Sequence, residues 1–104
     1  MRIDVRSKDL EVSGATREYV DRRLSFALRR FDGHINNVRV HLEDVNGPKG
    51  GIDKRCRIEV NGEHSLQVIV NEMNGDLHAA IDAAADRVGH QVARAIERGR
   101  ERGA

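Results

Sequence analysis

Four stretches of the chain alternate apolar and polar residues, and two others bring apolar residues back every three or four positions. Ile3-Asp4-Val5 is the shortest alternation and predicts a brief strand. In VSGATREYVDRRLSFALRRF, Val20, Leu24, Ala27, Leu28 and Phe31 share one helical face; Ser13 is suited to cap the start and Asp32-Gly33 to stop it. From Val38 the period becomes two: Val38, Val40 and Leu42 alternate with Arg39, His41 and Glu43. VNGPKGGID predicts a loop. Cys56, Ile58 and Val60 mark a third strand, Asn61-Gly62 a tight hairpin turn, and Leu66, Val68 and Val70 a fourth strand. Asp76 then caps a long helix running to about Arg98, with a stripe of Leu77, Ile81, Ala84, Ala85, Val88, Val92 and Ile96.

The order is therefore β-α-β-β-β-α, an α+β fold. Each strand has one apolar face, so both helices must cover the same side of a four-stranded sheet. A right-handed first crossover makes the first two strands parallel. Without repeats or low-complexity tracts, residues 1–104 read as one domain, ordered to about residue 98 and followed by a short tail.

Composition changes this picture little until charge is placed on it. Eighteen basic residues against seventeen acidic ones leave a net charge of +1, short of the strongly basic balance of many nucleic-acid binders. Nearly all the bases are Arg, whose planar head suits phosphate; a genome rich in Arg codons would give the same bias. Tyr19, Phe26 and Phe31 are the whole aromatic complement, which disfavours a sheet that reads bases by stacking. No apolar run has the length of a membrane span and the first residues lack a signal-peptide pattern, so a cytoplasmic location is expected.

On the first helix Arg22, Arg23, Arg29 and Arg30 fall on one outward flank, with Arg17 apart near the core edge. On the second, Arg87, Gln91, Arg94 and Arg98 share a flank with His90 beside it, while Asp82, Asp86 and Glu97 take another sector. Residues 76–86 carry three acids and no base, and residues 87–102 carry five Arg against two acids. That gradient also complements the helix dipole, but the first helix has no such gradient, and a phosphate-tracking surface explains both. Phe26 lies among the Arg residues, off the core stripe, where it either packs on a neighbour or stacks on a base.

No constellation supports an enzyme, and no cofactor or small-molecule substrate is expected. Cys56 points inward by phase, the five His are scattered without metal-ligand spacing, and NGPKGG lacks the GK[ST] and following helix of a phosphate-binding loop. Lys49 and Lys54 read as parts of a hairpin connection, or else as phosphate contacts.

Taken in order, NGDLHAAIDAAADRVGHQV, ATREYVDRRL with its Phe31-Asp32 ending, and INNVRVHL resemble the ribosome hibernation promoting factor family, which includes the ribosome-associated translation inhibitors. The resemblance extends to about Arg98. It implies a cytoplasmic bacterial protein on the small ribosomal subunit, held where mRNA and tRNA would lie. It also implies that Arg23, Arg30, Arg87, His90, Arg94 and Arg98 face ribosomal RNA, joined on the charge map by Arg22, Arg29 and Gln91. Family helices are richer in Lys, whereas Gly89, Ala93 and Ala95 dilute the second helix here; Gly89 would allow close packing on the first. The chain ends at Ala104, without the further domain that longer relatives use to pair ribosomes, so pairing and silencing single ribosomes both stay open. Two alternatives remain: a general double-stranded-RNA module, and a protein-interaction domain with solvated Arg flanks.

Overall fold

The computed structural model describes residues 1–46 and 51–103, with side chains as far as Gly99. Four strands, β1 (Arg2–Lys8), β2 (Ile35–Asp44), β3 (Lys54–Gly62) and β4 (Gln67–Asn74), form one sheet in the order β1-β2-β3-β4. Helix α1 (Gly14–Leu28) and a 3-10 segment (Arg29–His34) link β1 to β2, and α2 (Leu77–Gly103) follows β4. β1 runs parallel to β2, and the other pairs are antiparallel. The expected β-α-β-β-β-α order is the observed one.

Alternation dictates where the core sits. Val38, Val40 and Leu42 on β2, Cys56, Ile58 and Val60 on β3, and Val68 and Val70 on β4 turn to one face and are buried. Val20, Leu24 and Leu28 of α1, with Ala80, Ile81, Ala84, Ala85, Val88 and Val92 of α2, close over them in the same cluster. Ala27, Phe31, Leu77 and Ile96, expected in the stripes, pack half-buried against its edge. Packing at Gly89 is as tight as expected, since a Cβ there would lie 3.3 Å from the Ala27 carbonyl oxygen.

Both helix starts are capped by the anticipated residues. Ser13 Oγ accepts the Thr16 N–H at 3.1 Å, and Asp76 Oδ1 accepts the His78 N–H at 3.0 Å. The helix ends differ from expectation. Helix α1 gives way after Leu28 to the tighter 3-10 segment, which carries the chain past Asp32-Gly33 to His34. Helix α2 continues beyond Arg98 to Gly103, so the expected short tail is largely helical.

The hairpin turn is also displaced. Asn61-Gly62 belongs to β3, and Leu66 precedes β4; the chain reverses over Glu63–Leu66, where His64 and Ser65 take left-handed φ values of 56° and 63°. Gly62 is needed for a different reason: a Cβ there would collide with the His34 carbonyl oxygen. Of the loop expected around residues 45–53, residues 47–50, including Lys49, lie outside the described residues.

Candidate nucleic-acid interface

Arg23 of α1 and Arg30 of the 3-10 segment that follows it lie seven residues apart in different environments. Arg23 Nε lies 3.0 Å from Asp82 Oδ1, and its Nη2 is 3.0 Å from Asp86 Oδ1 and 3.3 Å from the Asp82 carbonyl oxygen. Its side chain is only 25% exposed. The Tyr19 hydroxyl donates to the same Asp82 carboxylate, and the Tyr19 ring stacks on His78 at 4.6 Å between centroids. These groups join α1 to the acidic first half of α2. The Tyr19 hydrogen bond, opposed by burial and aided by the bond from Arg23, holds the Asp82 carboxyl below the usual carboxylate range. The Asp86 hydrogen bond, with that from Asp82, raises Arg23 above the ordinary guanidinium value.

One turn further on, the helices open into a groove of about 320 Å³ lined by Phe26, Arg29, Arg30, Gly89 and His90, with Arg23 and Asp86 at its closed end. Neither Arg29 nor Arg30 has an ion-pair partner among the described residues. Arg29 lies over the Phe26 ring at 5.1 Å from its centroid and Arg30 over Phe31 at 4.7 Å. Phe26 itself is 67% exposed, so one ring face remains open to solvent. The groove thus presents two cations and an aromatic surface.

The row on α2 faces another way. Gln91, Arg94 and Arg98 line a second hollow of about 290 Å³ against Gln67 and Ile69 of β4. At the head of this row, Arg87 Nη1 is tied to Glu72 at 3.2 Å and to the Asn71 carbonyl oxygen at 3.4 Å. Arg22 stands apart on the outer side of α1 with Arg17, Glu18 and Asp21. The nine residues singled out on the charge map therefore divide: Arg29, Arg30 and His90 share one groove with the clamped Arg23 beside them. Gln91, Arg94 and Arg98 share another hollow, and Arg22 and Arg87 belong to neither.

Lys54 is bound to Asp53 at 3.0 Å and Asp44 at 3.3 Å, which leaves it committed within the fold. The Asp53 bond comes first in raising its pKa. Burial pushes the Cys56 thiol up to about 12, so it stays a protonated core group at neutral pH. Among the described residues no His, Cys, Asp and Glu cluster is placed to hold a metal ion, and no helix is long and apolar enough to cross a membrane. Tyr19, His78 and Asp82 as an interhelix anchor went unnoticed in the sequence: Tyr19 and Asp82 are 63 residues apart, and neither belongs to a local motif.

A sheet with two capped helices on one side and Arg-lined grooves beside α2 defines a small α+β domain. Residues 3–100 match the family described as sigma 54 modulation protein / S30EA ribosomal protein, and the chain belongs to that family. It is similar to the N-terminal domain of Thermus thermophilus Protein Y: 33% identity over 89% of this chain and 93% of that one, with a TM-score of 0.71. A ribosomal subunit interface protein from Coxiella burnetii shares the fold, with a TM-score of 0.79 at 15% identity over 93% and 99% of the two chains. No curated protein matches the chain.

Proposed function

We propose that this chain binds ribosomal RNA of the small subunit through the Arg-lined surfaces beside α2, and silences translation by occupying the place of mRNA and tRNA. The observation that carries this reading is the groove holding Arg29, Arg30 and a largely exposed Phe26, where two guanidinium groups have no carboxylate partner among the described residues. Uncompensated Arg beside an open aromatic ring suits a phosphate backbone with an adjacent unstacked base. Arg94 and Arg98 extend the cationic surface on the other side of α2. Family membership supports a ribosomal partner, as does the relative named for the subunit interface. The role is one of binding rather than catalysis, and it places the protein in the cytoplasm.

Sedimentation with purified ribosomal subunits tests this directly. The chain should pellet with the small subunit, and the association should fall by orders of magnitude over a few-fold rise in salt, because each phosphate contact releases counterions. Preference for the isolated large subunit, or equal affinity for naked duplex RNA, would defeat the assignment.

A further inference from the structure

The face of the sheet turned away from the helices is also charged, and its pattern is not that of a passive surface. Arg6 of β1 stands opposite His41 of β2, and His41 stands opposite Arg57 of β3. Cations and a protonatable ring thus occupy three adjoining strands in one row, and the next residue across, on β4, is the neutral Asn71. Carboxylates are confined to the rows on either side. Asp4, Arg39 and Glu59 alternate in sign along one, and Glu43 pairs with Arg55 in the other. Including Arg2 and Lys8, this face carries six Arg or Lys against three acids, whereas the whole chain is close to neutral.

Like charges directly opposite one another weaken a sheet, and opposite charges strengthen it. The flanking rows follow that rule, whereas the central row sets a guanidinium group on either side of His41 with no carboxylate in the row. Of its members, only Arg6 has an ion-pair partner, Asp4 at 3.2 Å within its own strand; Arg57 and His41 have none among the described residues. A hollow of about 500 Å³ opens along the β1–β2 side of this row, lined by Arg2, Arg6, Arg39 and His41. This face carries no Phe, Tyr or Trp, so contact with phosphate dominates over stacking on bases.

We propose that the open sheet face is a second RNA-binding surface, on which the row Arg6, His41 and Arg57 follows the phosphate backbone of a strand. It lies on the opposite side of the sheet from the grooves beside α2, so RNA held there is a separate segment from the one at Phe26 and Arg30. The bound backbone supplies the negative partner that the row itself lacks. Recognition is of phosphate and not of sequence.

The test is fluorescence anisotropy with a labelled oligouridine of about 20 nucleotides, titrated at salt concentrations from about 50 to 200 mM. Three proteins are compared: the unaltered chain, Arg6→Gln with Arg57→Gln, and Arg30→Gln with Arg94→Gln. The sheet variant should bind more weakly. The slope of log affinity against log salt should become shallower by about 1.4, the loss of two phosphate contacts to a single strand. Its melting temperature should change little, because both side chains are on the surface and the Arg6–Asp4 pair is exposed. Arg57→Gln alone, should the double variant fail to fold, should show about half that slope change. Unchanged affinity and slope in a folded sheet variant overturn the proposal, as does failure of the unaltered chain to bind oligouridine. Loss of ribosome pelleting with oligouridine binding intact would assign the face to an acidic protein and overturn it equally. The helix variant reports separately on the grooves beside α2, so the two surfaces can fail independently.

Discussion

Two stretches of the seam between the helices are built from similar residues and put to opposite use. Near the start of α2, Arg23 meets Asp82 and Asp86, and its charge is consumed in joining the helices. One turn along, Arg29 and Arg30 meet Gly89 and His90, and their charge is left over. The difference lies in what α2 offers. Its acidic first half was equally explicable as a complement to the helix dipole, yet Asp82 and Asp86 reach sideways to α1. A cationic flank on a helix is therefore available to a ligand only where the neighbouring helix declines to neutralise it.

The comparison breaks most visibly if binding is removed at the open end. Arg30→Glu with Arg94→Glu should lower small-subunit binding by at least about tenfold in a pelleting assay, since phosphate partners are lost and repulsion is added. Circular dichroism of the same samples should be unchanged. Arg23→Glu should do the reverse. Set against Asp82 and Asp86, the new carboxylate should lower stability by about 1–2 kcal/mol in urea denaturation, a partly screened loss at a half-buried site. An Arg23→Glu protein as stable as the unaltered chain would show that the clamp carries no stability. Away from the seam, Cys56→Ala should cost about 1 kcal/mol of stability through lost packing and leave ribosome binding unaltered.

A smaller effect sharpens the account of the closed end. The folded-state pKa of Asp82 is depressed, chiefly by the Tyr19 hydrogen bond. Its contribution to stability is thus present above its unfolded value of about 3.9 and lost as pH falls through the lower folded value. Urea midpoints measured from neutral pH down through that window should fall more steeply for the unaltered chain than for Asp82→Asn. Parallel curves would mean that Asp82 is not held ionised by its partners.

Much of this molecule could be read from period and phase alone. The inward set of β2 and β3, the stripe of α2 and the inward turn of Cys56 follow from alternation every two residues or recurrence every three to four. Ser13 and Asp76 announced their caps through side-chain chemistry. What escaped was set by partners distant in the chain. Arg23 has the same local surroundings as Arg30, and nothing in the sequence places Asp82 against the one and Gly89 near the other. Asn61-Gly62 has the composition of a tight turn, but its glycine answers a steric demand from the 3-10 segment, while the left-handed positions fall to His64 and Ser65. The central row of the open sheet face was hidden for a similar reason. Arg6, His41 and Arg57 become neighbours only when strand register is known.

That steric demand at Gly62 has a consequence for how the protein opens. The Glu63 N–H donates to the His34 carbonyl oxygen at 3.0 Å, and the Gly62 N–H donates to the Leu66 carbonyl oxygen at 2.9 Å. The end of the 3-10 segment and the β3–β4 hairpin are thereby latched backbone to backbone, with no Cβ at Gly62 to hold them apart. Amide hydrogens at Glu63 and in the segment leaving α1 should then exchange with solvent through one shared opening, at one rate and with one denaturant dependence. Local breathing at the hairpin tip should then be coupled to the helix exit that carries Arg29 and Arg30, through a contact that a single added methyl group would block.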